Sequence, residues 1–205
     1  DMAISTRIVT RNASRRIIRA GFEYAKKYGY TNLTLCEKPN VLRETSGMMF
    51  KEAKEIAKEY PSIALWDTNI DAQMMWLTKN PETYGVIVAE NMFGDIISDG
   101  FAGLIGGLGF ACSANIGEEV AVFEPTHGSA PKYQELDPSI VNPIAMMLSA
   151  CMMLDHIDEK ELAKIAGEKL TGVMDRSKPL WELYVVENVT GGRSAMIAKV
   201  HHCMV

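Results

Sequence analysis

Asp95 and Asp99 stand four residues apart, shortly after the apolar run Gly85-Val86-Ile87-Val88-Ala89, and this step constrains the fold more than any other stretch. The run is β-branched, short and bounded by a turn signal, so it predicts a buried strand. Asn91 to Gly94 then turn the chain, and Asp95 is expected to open a helix on which positions four apart share one face. A carboxylate in a first turn also suits the helix dipole. Spacing alone favours two solvated helix acids. The glycines that follow, from Gly100 to Gly109, shift that balance towards a site. Each one inside a helix costs about 1 kcal/mol against alanine, so a close backbone approach is expected there.

Composition bounds the partners. The 205 residues are 47% hydrophobic, ample for one large core or two small ones, and the formal net charge of -5 argues against nucleic acid. Arg11, Arg15, Arg16 and Arg19 form a basic stretch whose helical spacing predicts a solvated face. No apolar run approaches a membrane span and no signal peptide opens the chain, which points to the cytoplasm and to no membrane partner. Cys36, Cys112, Cys151 and Cys203 are widely separated, so reduced thiols are expected rather than a zinc site or disulfides.

The periodicity predicts helices at Asn12 to Tyr28, Gly47 to Glu59 with Ser46 as its cap, and Asp71 to Thr78, alternating with strands at Thr31 to Cys36, Ile63 to Trp66 and around Val86. This is the order of an α/β layer protein. A strand at Val120 to Glu124, a loop through His127 to Asn142, and helices near 143–156 and 159–174 follow, with a domain boundary near Gly109. Met146, Met147, Met152 and Met153 read as a core or dimer-facing stripe.

The stretch Asn91-Met92-Phe93-Gly94-Asp95-Ile96-Ile97-Ser98-Asp99-Gly100 resembles the signature of the β-decarboxylating dehydrogenases, the family of isocitrate, isopropylmalate and homoisocitrate dehydrogenases, and the resemblance runs from about Thr6 to about Ile157. It implies the isopropylmalate dehydrogenase-like α/β fold, with residues 1–109 as the small dimerisation, metal and substrate domain. Residues 110–205 would then be the C-terminal part of the large cofactor-binding domain. It also implies a Mg²⁺ or Mn²⁺ site of Asp95 and Asp99, completed by Asp71 of a neighbouring subunit in a homodimer. Hard cations prefer such oxygens. Asp67, four residues before Asp71, lies outside the motif and reads as a strand-end or loop residue.

By the same resemblance Lys38, in Cys36-Glu37-Lys38-Pro39-Asn40, is the catalytic lysine, although Glu37 and Pro39 stand where the family commonly has a histidine and a small residue. Glu124-Pro125-Thr126-His127-Gly128-Ser129-Ala130-Pro131-Lys132-Tyr133 looks like the family's cofactor loop. His127, Gly128, Ser129, Ala130, Pro131, Lys132, Tyr133 and Asn142 are implied to bind the cofactor. Lys-Tyr is typical of NADP-using isocitrate dehydrogenases, whereas NAD-using relatives commonly carry an acid there. A lysine attracts the extra 2′-phosphate that an acid repels, so NADP is expected before NAD.

The activity implied is metal-dependent oxidative decarboxylation of a small 2-hydroxy acid, isocitrate first, with isopropylmalate or homoisocitrate as the alternative. The family's N-terminal strands, its substrate-gripping serine and arginines and its catalytic tyrosine find no match here. Low turnover of residues 1–205 alone is therefore expected. A competing reading is a non-catalytic fragment or dimerising subunit.

Overall fold

The computed structural model describes residues 1–129, 131–133, 141–157, 181–189 and 193–200. By internal contacts the chain divides into two compact units, Asp1–Leu104 and Ile105–Val205.

The first unit is built on three parallel strands, β1 (Asn32–Glu37), β2 (Ala64–Asn69) and β3 (Val86–Ala89), in the order β2-β1-β3. Helix α1 (Arg11–Tyr28) precedes β1, α2 (Thr45–Ala57) joins β1 to β2, α3 (Ile70–Lys79) joins β2 to β3, and α4 (Asn91–Leu104) follows β3. Successive crossovers run in opposite directions across this sheet, so right-handed connections put α2 and α3 on opposite faces. One face carries the core: Ile18, Phe22 and Ala25 of α1 and Met49, Ala53 and Ile56 of α2 pack on Leu33, Leu35 and Val88. Phe22 stacks on Tyr60 with ring centroids 4.8 Å apart. Gly21 lets α1 approach the sheet closely, since a Cβ there would lie 2.5 Å from Val88 Cγ2.

The ends of these helices follow from local chemistry. Thr10 caps α1 by accepting the Ala13 N–H at 3.3 Å, and Gly29 ends it in the left-handed region at φ 76°. Three expectations need correction. Helix α4 starts at Asn91, not at Asp95, because the Gly94 N–H already donates to the Glu90 carbonyl at 2.7 Å. Asp95 therefore lies in the second turn, and its first-turn dipole argument falls. Ser46 does not cap α2: helical bonding begins upstream with Leu42 N–H to Lys38 O at 2.8 Å, so Ser46 lies inside the helix and is fully buried. The arginine face of α1 is not simply solvated. Arg11 and Arg15 pair with Glu52 of α2 at 3.0 and 2.6 Å, and Arg19 makes a two-point contact with Glu59 at 2.7 and 2.9 Å.

In the second unit β4 (Cys112–Ile116) and β5 (Val120–Pro125) form an antiparallel pair, and β6 (Trp181–Val189) and β7 (Arg193–Val200) form another. β5 and β7 pair in parallel, giving the order β4-β5-β7-β6. Helix α5 (Ile144–His156) packs Met153 and the following Ile157 with Ala121 and Phe123. Of its methionines, Met153 is buried while Met147 is exposed, so the stripe is only partly core. The helix expected near 159–174 and Cys203 lie outside the described residues. No described helix is long and apolar enough to cross a membrane.

Candidate functional site

Lys38 follows the last residue of β1, and Asp71 is the second residue of α3, after the neighbouring strand β2. Parallel strands bring their C-terminal ends to one edge, where ligands of open α/β sheets commonly bind. There Lys38 Nζ lies 2.5 Å from Asp71 Oδ1. The lysine side chain is 20% exposed and the aspartate 67%, so the pair faces solvent. The hydrogen bond from Lys38 is the main reason that the Asp71 carboxyl is held below its ordinary range. Asp67 sits within β2, opposite Leu35 and two residues before the strand's end.

Asp95 and Asp99 are both exposed, one turn apart on α4, whose buried face is Phe93, Ile97 and Ala102. Among the described residues neither carboxylate has an ion-pair partner. Two adjacent carboxylates of this kind suit a hard divalent cation. No three His, Cys, Asp or Glu side chains come together as a metal cluster among the described residues, so Asp71, Asp95 and Asp99 of one chain do not form the expected triad by themselves.

In the acid next to Lys38 the sequence showed only a departure from the family pattern, with no role attached. Glu37 is fully buried, receiving the Ser46 hydroxyl at 2.8 Å and the Glu90 N–H at 2.9 Å on its two oxygens. Burial pushes its pKa up, against the pull of these two donors and of Arg7; the Glu90 charge adds to the rise. The signal was present in the strand's period of two, which puts Glu37 on the same face as Leu33 and Leu35.

In the second unit His127 Nδ1 lies 3.0 Å from the Gly128 carbonyl, and Gly128 and Ser129 are exposed. Pro131–Tyr133 form a short 3-10 turn in which Lys132 Nζ sits 4.8 Å from the centre of the Tyr133 ring. Asn142 Oδ1 accepts the Ile144 N–H at 3.0 Å and so secures the start of α5. Ala130 lies outside the described residues.

A three-stranded parallel sheet, a lysine–aspartate pair at its C-terminal edge and an Asp-x-x-x-Asp helix following β3 place the first unit in the α/β class. A family profile described as isocitrate/isopropylmalate dehydrogenase matches residues 1–185, and the chain belongs to that family. It is 46% identical to the 3-isopropylmalate dehydrogenase of Archaeoglobus fulgidus over 178 residues, 87% of this chain and 54% of that one. With the homoisocitrate dehydrogenase of Methanocaldococcus jannaschii it shares 48% identity over 168 residues, covering 82% and 48%. The crystal structure of isocitrate dehydrogenase from Methylococcus capsulatus superposes with a TM-score of 0.72 at 45% identity, over 80% of this chain and 48% of that one. The fold is thus the α/β fold of these enzymes. The chain spans about half the length of the relatives it matches.

Proposed function

We propose that the protein carrying this chain oxidatively decarboxylates a small 2-hydroxy acid, with a divalent cation and a nicotinamide cofactor. The observation that carries this reading is the Lys38–Asp71 pair at the ends of β1 and β2, with the Asp95/Asp99 helix following β3, within a chain of this family. When bound, Mg²⁺ or Mn²⁺ supplies Lewis-acid polarisation and the nicotinamide accepts hydride. Lys38 moves a proton at the substrate's hydroxyl oxygen, and Asp71 holds the ammonium in place. Asp95 and Asp99 provide carboxylate oxygens for the cation. A site drawing on all three aspartates requires a second copy of the chain, so we assign Lys38 and Asp71 to a neighbour's Asp95 and Asp99 across a homodimer.

For the cofactor, His127 to Tyr133 and Asn142 form the binding residues, and the charge of Lys132 favours NADP over NAD. Isocitrate is the substrate that accords with Lys132-Tyr133. The relatives named for isopropylmalate and homoisocitrate keep those acids as the second reading.

The test is a steady-state assay of the whole protein that carries this chain with each of the three acids, Mn²⁺, and NADP or NAD, following reduced cofactor and released carbon dioxide together. Equal yields of the two products are expected, fastest with isocitrate and NADP. Reduced cofactor without carbon dioxide, or no turnover with any of the acids, contradicts the reading.

A further inference from the structure

Behind Lys38 one buried carboxylate joins three elements. The Ser46 hydroxyl, inside α2, accepts the Lys38 backbone N–H at 3.4 Å and donates to Glu37 Oε2 at 2.8 Å. The other Glu37 oxygen accepts the Glu90 N–H at 2.9 Å, and the Glu90 carbonyl accepts the Gly94 N–H of α4 at 2.7 Å. Arg7 lies 3.9 Å from Glu37 and 2.5 Å from Glu90, with its guanidinium over the Phe93 ring of α4 at 4.9 Å. An unbroken set of bonds therefore runs from the backbone of Lys38 to the first turn of the helix that carries Asp95 and Asp99.

We propose that Glu37, with Ser46 as its relay, is a positioning residue that fixes the Lys38–Asp71 arm relative to the Asp95–Asp99 helix. This rests on the functional reading above for its consequence in turnover, and on the hydrogen bonds alone for its geometry. The position is one that β1 would otherwise fill with an apolar side chain, as at Leu33 and Leu35. Burying an acid there is costly unless its oxygens are bonded, and both are. Glu37 is buried under the strand end, so it acts through the Lys38 backbone and not on the reacting atoms.

Ser46→Ala is the leading variant, because it removes one hydroxyl and leaves a good helix former. We expect kcat to fall about tenfold or more, as for a misplaced catalytic group, with KM for the hydroxy acid within about twofold and the protein still folded at the assay temperature, its melting temperature lowered only by the loss of one buried hydrogen bond. Glu37→Gln keeps an acceptor for the Glu90 N–H and a partner for Ser46, and is expected to retain kcat within about threefold. A wild-type kcat in Ser46→Ala, or a kcat loss that is accounted for by the fraction unfolded at the assay temperature, overturns the proposal.

A second readout needs no turnover: the rate at which an imidoester modifies Lys38, followed by mass spectrometry. Loosening from Asp71 should raise it about threefold in Ser46→Ala. An unchanged rate overturns the positioning role even if the protein is an active dehydrogenase. Should wild type oxidise none of the three acids, the functional reading falls while this labelling still decides the positioning claim.

Discussion

Lys38 is set apart from other lysines of this chain by its neighbours. Its ammonium meets Asp71 at the sheet edge, and its backbone is held from behind through Ser46 and Glu37. Lys38→Met should lower kcat by about 10²- to 10⁴-fold with little change in the melting temperature, checked by steady-state kinetics and calorimetry. Glu37 makes a prediction about pH. Its folded pKa is raised, chiefly by burial, so its contribution to stability is full below the unfolded value and is lost as pH rises through the folded one. Urea denaturation of wild type and Glu37→Gln from pH 4 to 8 should therefore show the glutamine variant gaining relative stability as pH increases. A flat or opposite trend contradicts the assignment. Burial, with the charges of Glu37 and Asp71 adding to it, pushes the Cys36 thiol up to about 12. Iodoacetamide at pH 8 should leave Cys36 unmodified in the native protein while alkylating the exposed Cys151, as read by mass spectrometry. Lys38 and Asp71 drew attention in the sequence through the motifs around them, but their pairing with each other was not legible there. Nor was the bonding of Glu37, because Ser46 and Glu90 are distant from it in sequence or belong to other elements.

At the scale of elements, alternation of apolar runs with turn signals located the three strands and four helices of the first unit to within a few residues. The errors fall at helix starts, where local backbone bonding runs further upstream than the residue types signal, and where partners come from other elements. Upstream helical bonding from Lys38 O moved Ser46 into α2, and the Glu90 carbonyl started α4 a turn early. The β4 strand was missed because Cys112-Ser113-Ala114-Asn115-Ile116 is short, weakly apolar and paired only through its partner β5. The arginines of α1 have helical spacing whether they meet water or Glu52 and Glu59, so their pairing needed the position of α2. Packing of α1 gives a direct test. A Cβ at Gly21 would approach Val88 to 2.5 Å and Leu33 to 3.0 Å, so Gly21→Ala should destabilise by about 1–3 kcal/mol in urea denaturation despite alanine's better helix propensity. Unchanged or increased stability would mean that α1 sits further from the sheet.

The proposed homodimer shares each metal site between two copies of the chain, and Lys132 is the proposed reader of the cofactor's extra phosphate. Lys132→Asp should reduce kcat/KM for NADP about tenfold more than for NAD, a difference of about 1.4 kcal/mol in recognition of the 2′-phosphate. Equal losses would remove Lys132 from that role. The shared site itself is tested most directly by complementation between two inactive variants, Lys38→Met and Asp95→Asn, mixed, dissociated and reassociated at equal concentration. Random pairing in a two-fold dimer makes half of the dimers mixed, and each mixed dimer has one of its two sites intact, so activity should return to about a quarter of wild type. Reassociated mixtures that stay as inactive as the two variants alone would show that Lys38 and Asp95 serve the same chain's site.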